Sequence, residues 1–235
     1  MVNELILQLE TSTSSCSVAL SQNGNIISFK EQNERNIHAS HITLFIEDAM
    51  NSAGKKFSDL SAVAISMGPG SYTGLRIGVS TAKGLCYALD IPLIAVNTLE
   101  AMASRVVKQV LVDRENTLLC PMIDARRMEV FTALYDYQLN EIEPVQAKII
   151  DESSFTAFSK EYKIIFFGDG AEKCKAIFKD TAKFSFLDFE NSALDLSQIA
   201  LKKFRGLEFE NVAYFEPYYL KDYMIIPPTN KNLNL

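Results

Sequence analysis

The chain has 235 residues, 48% of them hydrophobic and 22% charged, with a net charge of −6. That profile suits one folded domain or two small lobes and argues against non-specific nucleic-acid binding by the chain alone. Cys16, Cys86, Cys120 and Cys174 are far apart, form no C-x-x-C and sit in apolar contexts, as reduced core thiols do. No stretch approaches the roughly 18 apolar residues of a membrane span. MVNELILQLE lacks the basic region and the apolar length of a signal peptide, so a cytoplasmic protein is expected.

In chain order, residues 4–9 (ELILQL) have the pattern of a buried strand, followed by the polar turn ETSTSS and a second strand in CSVALSQNG. Asn23-Gly24 is a two-residue hairpin signal, and IISFKE is the return strand. Over residues 37–53 the period changes: Ile42, Phe45, Ile46, Ala49, Met50 and Ala53 repeat at three and four, and Gly54 stands where a C-cap would. AVAIS (62–66) is the next strand. The glycine-rich stretch SMGPGSYTGLRIG follows, then a helical stripe of Leu75, Val79, Ala82, Leu85, Cys86 and Leu89. PLIAV and TLEAMASRVVK continue as strand and helix; TLLCPMID (117–124) and RMEVFTALYD open a second sheet. Thereafter strands (AKII, KIIFFG) alternate with helices expected near 151–160, 170–178 and 193–205, and the final TNKNLNL resembles a frayed tail.

A faint repeat recurs at a spacing of 114: Leu9-Glu10 corresponds to Ile123-Asp124, and Ala19-Leu20 to Ala133-Leu134. KIIFFGDGAEK likewise echoes the strand–glycine–helix plan of AVAISMGPGSYTG. The expected fold is therefore α/β: an actin-like ATPase fold of two duplicated lobes, each a mixed sheet with flanking helices. The lobes are expected at 1–112 and 113–235, facing each other over a cleft to which each offers one acid.

Gly68, Gly70, Ser71 and Gly74 admit two readings. Backbone N–H groups at a helix N-terminus can cradle an anion. Yet the pattern is G-x-G-x-x-x-G, no Gly-Lys-Ser/Thr follows, and no ribose-binding acid stands about 20 residues on. The alternative is a tight turn, with Ser71 capping the helix and Gly74 allowing close helix–strand approach. Arg76 keeps the anion reading open, because a cation in a helix's first turn is disfavoured by roughly 0.3–1 kcal/mol unless something offsets it.

The block MGPGSYTGLRIGVSTAKGLCYALDIPLIAVNTLEAMA resembles the bacterial TsaB (YeaZ) family. LQLETSTSSCSVAL, MIDARRMEVFTALY and EPYYLKDY extend the resemblance from about residue 4 to about residue 225. It implies an accessory subunit in the making of threonylcarbamoyladenosine in tRNA, with a catalytic paralogue, TsaD, and an ATPase, TsaE, as partners. ATP and a metal are then expected to serve the partner subunits, and tRNA to be met only through the complex. In the catalytic paralogues the junction after the corresponding strand carries V-N-H-x-x-x-H, with histidines at i and i+4 holding a metal. Here Thr98 and Met102 occupy those positions, and neither is a credible ligand for a catalytic divalent ion.

The candidate nucleotide or anion cleft comprises Glu10, Ser12, Ser14, Gly68, Gly70, Ser71, Arg76, Asp124, Gly168 and Gly170. Its acids either orient a magnesium-bound water, as in a kinase or ATPase, or cap turns. A metal-dependent peptidase is disfavoured by the missing ligands, and no metal site is expected at His38 and His41, the only histidines. Arg126 and Arg127, like Lys202, Lys203 and Arg205, are expected to be solvated surface rather than an RNA site. The resemblance places partner docking on the helices of 37–53 and 73–89, through His38, Ile42, Phe45, Ile77, Ser80 and Gly84. Ile77, off the apolar stripe, is expected to face solvent. The same surface is expected to make a homodimer when the partner is absent.

Overall fold

The computed structural model describes residues 4–34, 36–109, 113–178 and 182–221. The TNKNLNL tail and residues 110–112, within the expected lobe boundary, lie outside them. The first sheet has strand order β3-β2-β1-β4-β5. In it β1 (Leu5–Glu10), β2 (Ser15–Gln22) and β3 (Asn25–Asn33) form an antiparallel meander, while β4 (Ala62–Gly68) and β5 (Leu93–Asn97) run parallel to β1. Asn23 and Gly24 both take positive φ (51° and 79°), the backbone that a two-residue hairpin with right-handed strand twist requires.

The second sheet has order β10-β9-β6-β7-β8, built from β6 (Thr117–Asp124), β7 (Glu129–Tyr135), β8 (Glu141–Ile149), β9 (Lys163–Phe167) and β10 (Phe184–Leu187). Read outward from β1 and from β6, the two orders are the same. The faint repeat is thus a duplicated lobe, with Glu10 and Asp124 ending equivalent strands.

Helices α1 (His38–Ser52) and α2 (Tyr72–Leu89) cover one face of the first sheet, where Ile42, Ile46, Val79 and Ala82 pack on Leu7, Leu9 and Val18. Helix α3 (Thr98–Gln109) is the middle layer. Ala101 faces the first sheet's core, and Leu99, Met102 and Val106 face Leu119, Ile123 and Phe167 of the second.

The second lobe departs from the expected helices. The stretch 151–160 holds only α4 (Thr156–Ser159), and 170–178 holds a single 3-10 turn, Glu172–Cys174. Ala171, Cys174 and Phe178 are buried at helical spacing. Most of the backbone here closes i→i+3 bonds, with Cys174 N donating to Ala171 O and Ile177 N to Cys174 O, each at 3.0 Å, and a single longer i→i+4 bond from Phe178 N to Cys174 O at 3.4 Å. Packing decides this: Phe178 stacks on Phe166 at 4.9 Å between centroids, with Phe155, Phe184 and Phe186 around the same ring. The short β10 was not anticipated.

Residues 193–205 do form a 3-10 turn (Ala193–Leu196) and then α5 (Ser197–Arg205), but in the other lobe. Leu196, Ile199, Ala200 and Leu201 cover Ile6, Ala62, Ala64, Ile94 and Val96, the face of the first sheet that α1 and α2 leave open. The chain after 192 therefore packs with the first lobe, although the 113–235 division assigns it to the second.

Phe166 is fully buried at the centre of the aromatic cluster. Phe166→Ala is expected to destabilise the chain by about 3–5 kcal/mol in denaturant titration.

Candidate functional site

Each lobe's first hairpin turn is built around the acid that ends its first strand. Glu10, 1% exposed, accepts the backbone N–H of Ser12 on Oε1 at 2.6 Å and is also hydrogen-bonded by Ser66. Burial raises its carboxyl pKa above the usual range, against the pull of those hydrogen bonds. Asp124 repeats the device 114 residues on, accepting Arg126 N at 2.9 Å, and it pairs with Lys173. Both acids cap their own turns, and one lies beneath the surface. They do not form an open pair of carboxylates able to hold a hydrated metal between the lobes.

The glycine loop is occupied by the protein itself. A Cβ at Gly74 would overlap Thr11 O, one at Gly78 the Thr11 hydroxyl, and one at Gly70 Ser12 O. Ser71 N donates to Ser12 O at 2.6 Å, and Ser71 Oγ accepts Gly74 N at 3.3 Å as the N-cap of α2. Two of the N–H groups at this helix start, those of Ser71 and Gly74, are thus given to the β1–β2 turn and the cap. Gly68 has φ 112°, and a Cβ there would lie 2.8 Å from Tyr218 O, whose residue also donates its N–H to Met67 O. The close-packing reading holds. Arg76 does not reach the cleft: it is exposed, lies over the Tyr72 ring at 5.4 Å and donates to Tyr72 Oη at 3.4 Å.

Of the candidate cleft residues, Ser14 and Gly168 line an interlobe cleft of about 440 Å³. Gly170, beside it, is glycine because Ile123 and Asp124 backbone atoms leave no room for a Cβ. The charged lining is Asp169, Glu172, Asp188 and Glu190 against one lysine, Lys175. Such a set repels a triphosphate, and the residues present do not fit a magnesium nucleotide. The wall formed by Phe186, Leu187, Asp188 and Phe189 was missed in the sequence because it hangs on β10, too short to signal itself.

Thr98 and Met102 are both fully buried and serve structure. Thr98 Oγ1 lies 2.6 Å from Ser66 Oγ and accepts Gly68 N at 3.1 Å, tying α3 to the end of β4. Met102 packs in the interlobe core. His38 is buried with Nε2 3.2 Å from Ser15 O. A carbonyl accepts only a proton, so the ring donates from Nε2, and burial holds its pKa below the usual histidine range. All four cysteines are free and buried, and burial raises Cys16, Cys86 and Cys174 to about 11.

The expected docking set divides. Ile42 (1% exposed) and His38 belong to the protomer core and cannot be presented to a partner, because the stripe that anchors α1 to the sheet includes them. Ile77 and Phe45 are half-buried against the same core, so Ile77 does not stand free in solvent. The outward face of α2 is instead Thr73, Arg76, Ser80, Gly84 and Tyr87. Tyr87 is 86% exposed, and Leu44 on α1 is 54% exposed.

A family model described as TsaD, tRNA N6-adenosine threonylcarbamoyltransferase, matches residues 31–223. The tRNA threonylcarbamoyladenosine biosynthesis protein TsaB of Bacillus subtilis (strain 168) is 31% identical over 179 residues, covering 74% of this chain and 75% of that protein. YeaZ from Pseudomonas aeruginosa superposes with a TM-score of 0.77 at 24% identity over 92% of this chain and all of that one. The activator of the 2-hydroxyisocaproyl-CoA dehydratase from Clostridium difficile, solved with bound ADPNP, gives 0.50 at 11% identity over 88% of this chain and 98% of that one. These structural likenesses establish the fold, which is the actin-like ATPase fold.

Two glycines on one helix predict opposite outcomes. Gly74→Ala is expected to lower stability by about 1–3 kcal/mol through overpacking against Thr11. Gly84→Ala, whose Cβ meets nothing within 4 Å, is expected to raise it by up to about 1 kcal/mol. Thermal melts of the two variants check both. Glu10 sets a pH dependence. Its folded pKa is raised above 4.5, so its contribution is fully present below that pH and is lost as pH rises through the folded value. Glu10→Gln keeps the acceptor for Ser12 N without the buried charge. Its melting temperature relative to the parent is therefore expected to improve steadily as pH rises above about 4.5.

Proposed function

The chain belongs to the TsaB (YeaZ) family of tRNA threonylcarbamoyladenosine biosynthesis proteins, and from that premise we propose that it is a non-catalytic scaffold and activator subunit of the modifying complex. In this reading it binds a TsaD-type catalytic paralogue and a TsaE-type ATPase, which use the ATP and the metal, and it meets tRNA as part of that assembly. The observation that carries the proposal is the fate of the two metal-ligand positions. Thr98 is committed to Ser66 and Gly68, and Met102 is packed between the sheets, so neither side chain offers a ligand to a catalytic ion. The capped acids and the carboxylate-lined cleft support the same reading over a kinase or ATPase.

The docking surface is the outward face of α2 around Ser80 and Gly84, with Tyr87 and Leu44 beside it. Gly84 supports this. A mid-helix glycine costs about 1 kcal/mol relative to alanine, and here no neighbour within the protomer requires it. A missing side chain on an exposed helix lets a partner helix approach closely. The same face is the proposed homodimer contact when the partner is absent.

Gly84→Arg tests the assignment. Its melting temperature alone is expected to stay at or above the parent's. Its affinity for the co-expressed paralogue is expected to fall a hundredfold or more, about 3 kcal/mol, from clash and a buried unpaired charge. Unchanged co-purification would move the docking surface elsewhere.

A further inference from the structure

Residues 207–221 form a strap over the first lobe. Glu210 N donates to Leu93 O at 2.9 Å; Lys83 Nζ donates to Ala213 O and Phe215 O at 3.1 and 2.9 Å; Tyr218 N joins Met67 O at 2.8 Å. Lys221 then pairs with Glu129 at the start of β7. Three residues span at most about 10 Å, so the strap sets the glycine loop of one lobe beside the β6–β7 turn of the other.

Along its outer side runs a strip of one chemical character. Arg76, Tyr72 and Tyr219 stack in series, with the guanidinium 5.4 Å from the Tyr72 centroid and the two rings 4.7 Å apart. Tyr218 and Tyr219 remain 37% and 36% exposed. Beyond Lys221 stand Arg126 and Arg127, both exposed, and neither has an ion-pair partner among the described residues. The neighbouring carboxylates Asp124 and Glu129 are taken by Lys173 and Lys221, which leaves Glu216 and Asp169 as the other acids nearby. Two members of the other basic cluster are engaged: Lys203 Nζ donates to Ala95 O at 2.8 Å, and Arg205 pairs with Glu4 at 2.6 Å. Arg126 and Arg127 belong to the turn whose Glu129 holds Lys221, Glu129 N donating to Arg126 O, and in a chain of net charge −6 such unpaired arginines near exposed tyrosines are a local reversal.

We propose that the strip Arg76–Tyr72–Tyr219–Lys221–Arg126–Arg127 binds single-stranded RNA, its rings stacking unpaired bases and its arginines meeting phosphates. Stacking on aromatic and guanidinium planes, with cations spaced along the strand, is how proteins hold unpaired RNA, whereas a duplex keeps its bases inside. The buried centre of a protein–protein interface is instead depleted of charge, and this strip carries Arg76, Lys221, Arg126 and Arg127. The proposal rests on the tRNA-pathway reading, since it names the surface by which the complex would meet its RNA. It revises the expectation that Arg126 and Arg127 are plain surface.

The full chain is titrated at low salt with a short fluorescein-labelled oligoadenylate, with polyglutamate as competitor. Expected are binding that polyglutamate does not displace and a loss of about tenfold in Tyr219→Ala. In Arg127→Asn, a residue that tolerates the positive φ of 51°, the slope of log K against log salt should fall by about 0.7. Both variants should keep the parent's melting temperature and paralogue affinity. No binding by the parent chain, equal displacement by polyglutamate, or variants that bind RNA as the parent does would each overturn the proposal. So would a loss of paralogue affinity in its place. The pathway reading is decided separately, by the threonylcarbamoyladenosine content of tRNA from cells lacking the chain, so the two can fail independently.

Discussion

The contact on which the rest depends is the approach of α2's backbone to the β1–β2 turn. Thr11 and Ser12 lie so close to Gly70, Gly74 and Gly78 that no side chain fits between them. That approach seats the helix on the first sheet, buries the Leu75–Val79–Ala82 stripe and fixes which face of α2 looks outward. It also bears on the chemistry of the loop. A helix N-terminus is an anion site only while its N–H groups are unclaimed. Here Ser12 O and the Ser71 hydroxyl claim those of Ser71 and Gly74.

The same economy governs the cleft. An actin-like enzyme needs acids that face a shared ligand from both lobes. Glu10 and Asp124 hold the equivalent positions by duplication, yet each folds back on the N–H two residues ahead. What lies between the lobes is a cleft whose carboxylates outnumber its lysine. The architecture of a nucleotide fold persists with both acids turned to capping, in keeping with the scaffold role proposed above.

Two crossings connect the lobes. Arg105 of α3 donates to Glu190 O and sits over the Phe189 ring at 3.8 Å, both on the chain that leaves β10, and it lies 3.2 Å from Asp195 where that chain rejoins the first lobe. Burial pushes the Asp195 carboxyl up to about 8 against the pull of Arg105. With the Lys221–Glu129 pair on the strap, the lobes are held from two sides. The proposed scaffold role would gain from such a fixed relation, since the surfaces keep their spacing without a ligand to close them.

Periodicity, turn chemistry and the repeat of 114 residues determined most of the first lobe: the meander, the Asn23-Gly24 turn, α1 to α3 and the parallel strands between them. These are local signals, written wherever one face of an element is buried and the other wet. The substitution of Thr98 and Met102 at the ligand positions was legible for the same reason, as a residue identity at a fixed offset. Tertiary structure alone decided that Ala171–Phe178 is not an α-helix, since its helical spacing is satisfied by 3-10 turns once Phe178 is stacked on Phe166 of the neighbouring strand. It decided that α5 leaves its own half to cover the first sheet, a matter of which apolar face remained open. It decided that Ile42 is core while Gly84 is surface, since both satisfy a helical period and only the position of the sheet separates them. And it brought Tyr219 beside Tyr72 and Lys221 beside Glu129, residues far apart in the chain whose meeting depends on where the strap is hydrogen-bonded, which no local pattern encodes.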